Sequence, residues 1–578
     1  MKQVGHPFTC LACLPSSASM SRLYQPRQTL TLLLAPPCSS TRLRQRQRLL
    51  PLALNTTASS SSIHTTTRHP LADVKDTALP NNTIPDVPGA DIPSALHAAA
   101  RPPNAPKPVI DIKHIRQNVD LHTQNCLDRN YAAQSAYPAE IQSLFSQWHS
   151  IQRASRGLRE RQNLLRRQLA NPVSTSVTGE PAAEEVHTHS RDEILAEAKQ
   201  IKEKLSETEG EEEDLVTKME ALALAMPNLT SEETPRGSTP QVLSYINDHP
   251  EPVPSSSDRV WRSHVHIGAE LGLLDFAAAA NTSGWGWYFL IGELAQLEQA
   301  LIQFALATVT RSGSEHSHAH NWIQVSPPSM VYAHVASSCG FQPRDKNGET
   351  QVYAISQNPS DAARGKPELC LAGTAEIPLA GMKADAELDE IELPLKRAGV
   401  SRCFRAEAGA RGVDTKGLFR VHEFSKAEMF SWTSPSWSST VEIFDEMVDL
   451  QTEMLSALGL HCRVLEMPTS DLGASAARKI DIEAYFPSRR DRDEGWGEVT
   501  SASICTDYQA RRLGTRLKMP DGKMTFPWTV NGTAMAVPRV LAALLEIGWD
   551  EESMTVKVPE VLRPWMPGGR DVIGRRRF

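Results

Sequence analysis

Two arginines in the last third of the chain lie where a strand meets a loop or a helix, a placement suited to binding phosphate groups. Arg405 ends one predicted strand, and a turn that reaches Gly417 leads into a second predicted strand containing Phe424. This pattern predicts an antiparallel hairpin. Arg539 separates a strand of small residues, which begins at Asn531, from an apolar helix. The guanidinium fork can clamp phosphate oxygens, and the ring of Phe424 can stack on a base.

A third segment precedes these two. The sequence at 292–304 predicts an amphipathic helix, and a strand that starts at Trp322 runs into Pro327 and Pro328. Each of the three segments also has a structural interpretation, because Arg405 could form a surface ion pair and the prolines could simply end a strand. Taken singly, the segments leave phosphate binding and an ordinary structural role equally open.

Other common nucleotide and metal signatures are missing from the sequence. No GxGxxG or GxxxxGK[ST] loop is present, nor is an HExxH pair or a Cys/His cluster at zinc spacing. The histidines at 316, 318 and 320 are interpreted as part of a solvated loop, and Cys10 and Cys13 as an incidental pair. No zinc is therefore expected.

Length and composition limit the class of protein. The chain has 578 residues, of which 40% are hydrophobic and 22% charged, with a formal net charge of −8. This apolar content excludes a wholly disordered chain, and no apolar run approaches the roughly 20 residues of a membrane span. The acidic balance argues against a protein that coats nucleic acid over its whole surface, but it allows a local basic patch.

The first 72 residues differ from the rest of the chain. They contain eight Lys or Arg residues, many Ser and Thr residues, and no Asp or Glu. This composition is typical of an organellar transit peptide, here predicted to be mitochondrial; the alternative is a disordered basic tail without a targeting role. Residues 73–108 carry eight prolines from Pro80 onward and are predicted to be a linker. The folded part is expected to begin near Val109.

Two heptad patterns predict a long antiparallel helical hairpin. The first runs from about residue 139 to 170, the second from 194 to 222, and Pro172 and Pro181 lie between them. The seam positions, apolar except for Ser155, Gln162, Thr208 and Glu212, are Ile141, Leu144, Trp148, Ile151, Ser155, Leu158, Gln162, Leu165 and Leu169, then Ile194, Ala198, Ile201, Leu205, Thr208, Glu212, Leu215, Met219 and Leu222. Such an arm has little core of its own and usually reaches toward a partner or dimerises.

Charge is distributed unevenly over this arm. The first helix is rich in arginine and the second in acid. The two helices could neutralise each other, or the arginines could follow a phosphate backbone; charge alone does not decide. The arginines predicted to contact nucleic acid are Arg153, Arg156, Arg159, Arg166 and Arg167.

In this order and spacing, the three segments resemble the signature motifs of class II aminoacyl-tRNA synthetases, and residues 109–560 resemble the seryl-tRNA synthetases in particular. The most specific strings are Thr-Ala-Glu at 374–376, Phe-Arg-Ala-Glu-Ala-Gly at 404–409 and Gln-Ala-Arg-Arg at 509–512. Further similar strings lie at 109–116, 226–228, 271–276 and 471–473.

The resemblance implies an α+β protein with two folded parts. Residues 109–230 would form the antiparallel coiled-coil arm that binds tRNA(Ser), and residues 231–578 a catalytic domain with an antiparallel sheet flanked by helices. The activity implied is that of a serine–tRNA ligase, which makes seryl-adenylate from serine and ATP and passes the seryl group to tRNA(Ser) in the mitochondrial matrix. The family's first motif implies a homodimer. No membrane association is expected.

The resemblance also assigns site residues. Arg405 would hold the α-phosphate of ATP, Arg539 the γ-phosphate, and Glu498 with Ser501 a Mg²⁺ ion. The remaining ATP contacts implied are Ala406, Glu407, Val421, His422, Glu423, Phe424, Val499 and Thr500. The serine contacts implied are Thr374, Ala375, Glu376, Arg405, Glu428 and Thr533. Polar side chains suit this pocket, since the ammonium and hydroxyl of serine must be hydrogen-bonded when buried.

Three residues depart from the family pattern: Glu423, Ile504 and Pro538. The acid at Glu423 would weaken ATP binding if it faced the triphosphate. Two rival functions also remain open at this point. One is a catalytically reduced paralogue acting as an RNA-binding or assembly factor, although Arg405, Glu498 and Arg539 are all present. The other is a ligase for a different small amino acid or a carrier protein, although the arm is intact.

Overall fold

The computed structural model describes residues 105–170, 191–248, 262–311, 321–341, 352–407, 417–491 and 493–574. All of these belong to one unit, Pro88–Phe578. Four predicted features lie outside the described residues: the leader at 1–72, most of the linker at 73–108, the loop between the arm helices and the histidines at 316, 318 and 320.

Four helices form the N-terminal part of the described chain. They are α1 (Ile112–Gln117), α2 (Val119–Asp128), α3 (Tyr137–Ala170) and α4 (Arg191–Leu224). The last two have 34 residues each, so each is about 50 Å long at 1.5 Å per residue. Pro138 stands in the first turn of α3, where its missing N–H costs nothing. The predicted helical hairpin is therefore present.

The buried face of the hairpin follows the heptad pattern. Ile141 and Leu165 of α3 are fully buried. Leu205 and Met219 of α4 are almost fully buried. Ser155 is also buried, and its hydroxyl donates to Glu212 at 3.3 Å. A polar layer of this kind fixes which turns of two helices face each other, because any slip would leave its groups unpaired.

An eight-stranded sheet forms the centre of the C-terminal part. Its strands are β1 (Gln241–Ile246), β4 (Ile323–Val325), β8 (Leu395–Phe404), β9 (Glu423–Thr433), β10 (Cys462–Glu466), β11 (Arg478–Tyr485), β12 (Trp496–Thr506) and β15 (Trp528–Ala536). Their order in the sheet is β1-β10-β11-β12-β15-β9-β8-β4, and every neighbouring pair is antiparallel except β4 and β8.

The shorter strands form two three-stranded sheets and two two-stranded ribbons. They are β2 (Leu274–Asp275), β3 (Phe289–Leu290), β5 (Met330–Tyr332), β6 (Leu369–Leu371), β7 (Glu387–Asp389), β13 (Arg516–Lys518), β14 (Met524–Thr525), β16 (Trp549–Asp550), β17 (Thr555–Lys557) and β18 (Val572–Gly574). The helices of this part are α5 (His264–Leu271), α6 (Phe276–Ser283), α7 (Glu293–Thr310), α8 (Ala333–Ser338), α9 (Pro359–Ala363), α10 (Glu376–Gly381), α11 (Trp437–Ala457), α12 (Tyr508–Leu513) and α13 (Val537–Ile547). None of the described helices is long and apolar enough to cross a membrane.

The main core lies between the large sheet and three helices, α7, α11 and α13. Leu301, Phe444 and Leu541 are fully buried there, one from each helix. The predicted amphipathic helix at 292–304 is α7, and the strand that follows it is β4. The fold combines a helical arm with a helix-flanked antiparallel sheet, as the sequence predicts.

Buried polar contacts join the base of the arm to the C-terminal part. Arg129 is fully buried and donates to the backbone carbonyls of Asn228 and Gly473. Arg512 of α12 donates to the carbonyls of Leu224 at 3.2 Å and Met226 at 3.3 Å. The carbonyl of Leu224, the last residue of α4, is therefore satisfied by a side chain from the C-terminal part.

Candidate active site

Four adjacent strands of the large sheet, β8, β9, β12 and β15, position the predicted site residues. β8 and β9 form the predicted hairpin, with Phe404 opposite Glu423. β15 runs directly into α13, so Arg539 lies in the first turn of that helix. Pro538 is tolerated there because the first turn needs no N–H from it. The predicted ATP residues that line one pocket over this region are Arg405, Glu407, Val421, Phe424, Glu498, Val499, Thr500, Ser501 and Arg539.

A β-bulge brings the two predicted metal ligands to the same face of β12. Residues three apart on a regular strand point to opposite faces. Here the register with β11 shifts: Glu498 faces Glu483 and Thr500 faces Ile482, so Val499 is the extra residue. The extra residue turns Glu498 and Ser501 toward the same face of β12, and both line the pocket.

An arginine–carboxylate pair lies where the phosphates of ATP are predicted to bind. Arg539 Nη1 lies 3.1 Å from Glu498 Oε1 and also donates to the Glu498 carbonyl, while its Nε donates to the Phe419 carbonyl. Partial burial opposes ionisation of Glu498, but Arg539, Lys479 and Arg405 outweigh it and lower the pKa of Glu498 to about 2. Glu498 is therefore a carboxylate throughout the physiological pH range.

Arg405 lies beside the ring that is predicted to stack on adenine. Its guanidinium carbon is 5.3 Å from the centroid of Phe424, and its Nε donates to the Gly373 carbonyl at 3.3 Å. Phe419 lines the same pocket and lies under the guanidinium of Arg539 at 4.8 Å. The pocket thus offers two arginines and two aromatic rings to a nucleotide.

Strand parity separates Glu423 from the pocket. Phe424, Lys426 and Glu428 share one face of β9, so Glu423 points to the other. On that side its carboxylate accepts from Arg402 Nε at 2.9 Å. The structure therefore directs this acid away from the predicted triphosphate site.

Two further predicted ATP residues also lie outside the pocket lining. His422 Nδ1 lies 2.8 Å from the Tyr353 hydroxyl and 3.0 Å from the Arg405 carbonyl. Ala406 follows Arg405 but does not line the pocket, and residues 408–416 of the hairpin loop lie outside the described residues. The third departure, Ile504, is fully buried in the core rather than at the site.

A buried polar cluster adjoins the pocket and contains the predicted serine residues. Thr374 Oγ1 donates to Glu428 Oε2 at 3.1 Å, and Lys426 Nζ forms an ion pair with the same oxygen. Lys426 also reaches Thr533 Oγ1 at 3.4 Å. All four side chains are buried, so a ligand here meets fixed hydrogen-bonding groups rather than solvent.

Glu376 forms the second carboxylate of this cluster. Its Oε1 accepts from Gln509 Nε2 at 2.6 Å and from Asn531 Nδ2 at 3.1 Å. Burial and the neighbouring Glu428 raise the pKa of Glu376 to about 7, against the opposing effects of Lys426, Gln509 and Arg405. The remaining predicted serine residue, Ala375, is fully buried at the start of α10 and offers only its backbone.

Several residues at the site were not predicted from the sequence. Lys426 lines the pocket of the predicted ATP residues and contacts the buried polar cluster. Its alternation with Phe424 and Glu428 along one face of β9 was the signal in the sequence that could have identified it. Asp481 lies opposite Ser501 on β11 and pairs with Lys479 at 2.7 Å; burial raises its pKa. Only strand pairing reveals that this second acid lies beside Ser501.

The arm arginines divide into paired and unpaired groups. Arg159 donates to Glu212 of the polar layer at 2.8 Å, and Arg156 pairs with Glu160 on its own helix. Arg153, Arg166 and Arg167 are exposed and form no ion pair with any described residue. Mutual neutralisation therefore accounts for part of the basic strip, and these three arginines remain available to a partner.

The described residues contain no group of three His, Cys, Asp or Glu side chains that could hold a metal ion. Glu498 and Ser501 offer two oxygen ligands, and Mg²⁺ is commonly held by one or two protein oxygens together with substrate phosphates. The residues present thus fit an ion that arrives with a nucleotide.

Known proteins resemble both parts of the chain. Residues 109–230 match the family model of the seryl-tRNA synthetase N-terminal domain, and residues 356–548 match that of the class II tRNA synthetase core domain for G, H, P, S and T. A mitochondrial serine–tRNA ligase of Saccharomyces cerevisiae is 39% identical over 65% of this chain and 79% of its own length. A serine–tRNA ligase of Rubrobacter xylanophilus is 36% identical over 81% of this chain and all of its own.

A solved structure agrees with the sequence relatives. The seryl-tRNA synthetase of Pyrococcus horikoshii, crystallised with ATP, superposes with a TM-score of 0.67 at 31% identity, covering 81% of this chain and all of that one. Matches to both domain models, relatives at this identity and the shared fold show that the chain belongs to the seryl-tRNA synthetase family, the class II enzymes that ligate serine to tRNA.

Proposed function

We propose that the pocket between β8, β9, β12 and β15 binds ATP and that the adjoining cluster around Glu428 binds serine. The serine–tRNA ligase reaction then begins where the two meet, near Arg405 and Lys426. The serine carboxylate attacks the α-phosphorus of ATP, the bond to the leaving diphosphate breaks, and seryl-adenylate forms. The observation that carries this proposal is the direct contact between a phosphate-type pocket and a buried cluster of hydrogen-bonding side chains, both touched by Lys426.

Catalysis of this step consists mainly of positioning and charge neutralisation. Arg405 and Arg539 provide fixed cations at two ends of the triphosphate, since both are held by backbone carbonyls. Glu498 and Ser501 would hold Mg²⁺, which would neutralise phosphate charge as the diphosphate leaves. Phe424 would stack on adenine.

Serine recognition follows from the groups of the buried cluster. Glu428 and Glu376 supply acceptors for the ammonium and hydroxyl, and Thr374 and Thr533 complete the polar lining. An alanine would leave one of these buried groups unpaired, which costs far more than the loss of an apolar contact. A ligand without a hydroxyl should therefore be rejected.

The experiment that tests this proposal is ATP–pyrophosphate exchange by the purified chain, with each amino acid in turn. Exchange should require serine, and Arg405→Ala should reduce it by about a hundredfold or more, as expected for a lost contact to the reacting phosphate. Arg402→Ala, which removes an arginine of the same hairpin that pairs with Glu423 outside the pocket, is the matched control. Equal loss in both variants would contradict the assignment of Arg405.

For the second step, we infer that the arm binds tRNA(Ser) through Arg153, Arg166 and Arg167. All three lie on α3, whose roughly 50 Å length allows contact far from the catalytic pocket. We expect this hairpin to recognise the shape and backbone of the RNA rather than base edges.

We also propose a homodimer that forms at the β4 edge of the large sheet. β4 is the last strand of that sheet, so one of its edges lacks a partner among the described strands. Exposed apolar side chains occur in β4 itself, at Ile323, and in the strand that follows it, at Met330 and Tyr332. Light scattering at micromolar concentration should give twice the mass of the chain.

Residues 1–72 are proposed to direct the chain to the mitochondrial matrix. Their eight basic residues and lack of acids support this, as does the mitochondrial serine–tRNA ligase among the relatives. A fluorescent fusion of residues 1–80 should enter mitochondria; a cytosolic distribution would contradict the proposal.

A further inference from the structure

Gln509 on α12 is fully buried, and its side-chain amide bridges Glu376 and Thr529. Its Nε2 donates to Glu376 Oε1 at 2.6 Å, and its Oε1 accepts from Thr529 Oγ1 at 2.7 Å. An ionised carboxylate only accepts hydrogen bonds. The amide therefore fits in one orientation, with its nitrogen toward Glu376.

The hydrogen bonds to Glu376 are asymmetric. Both Gln509 and Asn531 donate to Oε1. Among the described residues no side chain or backbone group donates to Oε2. The two donors thus fix the plane of the carboxylate and leave its second oxygen for a ligand.

We propose that Gln509 is a positioning residue that orients Glu376 for serine and thereby contributes to serine selectivity. The proposal rests on the assignment of Glu376 to the serine site. Gln509 need not touch serine, since it acts through the carboxylate that it holds.

Electrostatics supports a role beyond packing. Burial and Glu428 favour the protonated form of Glu376, whereas Lys426, Gln509 and Arg405 favour the carboxylate. The thiols of Cys339 and Cys505 also face Glu376, and burial keeps both protonated by raising their pKa values. Removing the Gln509 donor should therefore raise the pKa of Glu376 further, and less of the enzyme would be in the accepting form at neutral pH.

A purely structural role for Gln509 makes a different prediction. α12 also carries Arg512, which holds the base of the arm. If Gln509 only stabilised this helix, its loss would lower the melting temperature and the active fraction, with equal effects on serine and ATP. It would leave the pH dependence of serine use unchanged.

The test compares four variants in ATP–pyrophosphate exchange: Gln509→Met, Thr529→Val, Glu376→Gln and Tyr508→Phe. Gln509→Met keeps the length of the side chain and removes the donor. Thr529→Val keeps Gln509 but removes the hydrogen bond that holds its amide oxygen. This variant tests the same role if Gln509→Met fails to fold. Tyr508→Phe is the control, because the buried Tyr508 hydroxyl on the same helix has no hydrogen-bond partner among the described residues.

Gln509→Met should raise the KM for serine by about tenfold or more, with the KM for ATP changed less than about twofold. The acidic limb of kcat/KM for serine should move up by about one pH unit. Thr529→Val should shift both in the same direction by a smaller amount, and Tyr508→Phe should shift neither.

Two results would overturn the proposal, and they are distinguishable. If Glu376→Gln raises the KM for serine but Gln509→Met and Thr529→Val affect serine and ATP equally or not at all, Gln509 has no positioning role. If Glu376→Gln leaves the KM for serine unchanged, the assignment of Glu376 to the serine site is wrong, and the role of Gln509 falls with it.

Discussion

Arg539 and Glu498 form an ion pair at 3.1 Å at the proposed phosphate end of the pocket, and the same guanidinium donates to the Glu498 and Phe419 carbonyls. Three partners on two different segments hold one side chain. The arginine is thus placed before a nucleotide binds, which lowers the cost of organising the site during the reaction.

Arg539→Lys tests whether this geometry matters beyond charge. Lysine keeps the cation but cannot make the fork of contacts to Glu498 and Phe419. We expect exchange activity to fall by about tenfold or more, with a higher KM for ATP and little change in melting temperature. Activity within about twofold of the parent enzyme would show that a point charge is sufficient.

Glu376, as the proposed serine ligand, should make serine use sensitive to pH. Because its pKa is raised to about 7, the carboxylate is lost as pH falls below that value. At saturating ATP, kcat/KM for serine should drop by about tenfold per unit below pH 7. A profile that is flat between pH 6 and 8 would contradict an ionised Glu376 in serine binding.

Stability provides the control for that pH profile. The pKa of Glu376 in the folded chain lies above its ordinary value of 4.5, so the folded state binds more protons between these values. The contribution of this group to stability is therefore present below pH 4.5 and is lost as pH rises through about 7. If kcat/KM for serine falls at low pH, protonation of Glu376 has therefore not caused this by unfolding the protein.

Three exposed arginines test the role of the arm. Replacing Arg153, Arg166 and Arg167 with Gln should leave pyrophosphate exchange unchanged and raise the KM for tRNA. The slope of log KM against log salt should flatten by about 2, since each lost phosphate contact releases one counterion fewer. Arg159 is left intact because it belongs to the polar layer with Glu212.

A matched variant replaces the exposed Lys199, Lys202 and Lys204 of α4 with Gln. It removes the same charge from the other arm helix, so it should leave tRNA charging closer to that of the parent. Circular dichroism should show full helix content in both variants. Equal tRNA effects in the two would mean that only overall charge matters.

Local sequence patterns predict the helices and strands well, but they do not predict which distant residues meet in the folded chain. Heptad spacing predicts the arm, and the Arg405 hairpin and the strand before Arg539 follow from residue types alone. Strand parity also predicts that Glu423 and Phe424 face opposite ways, so an acid beside a pocket residue need not enter the pocket. The bulge at Val499 is different, because only the pairing with β11 shows that Glu498 and Ser501 share a face.

Residues that act through neighbours were the hardest to predict. Lys426 and Gln509 meet their partners Thr533 and Glu376 across more than one hundred residues of sequence. A buried lysine or glutamine has no local pattern that distinguishes a site from a satisfied core group. Their roles emerge only when β9, β15, α10 and α12 are brought together.

The most direct test of the central assignment is the pair of KM values, for serine and for ATP, in Thr374→Ala and Glu428→Ala. These side chains hydrogen-bond each other at 3.1 Å in the buried cluster, away from Arg539 and Glu498. We predict that the KM for serine rises by about tenfold or more while the KM for ATP changes by less than about twofold. A rise in the KM for ATP without one for serine would contradict the assignment of this cluster to serine.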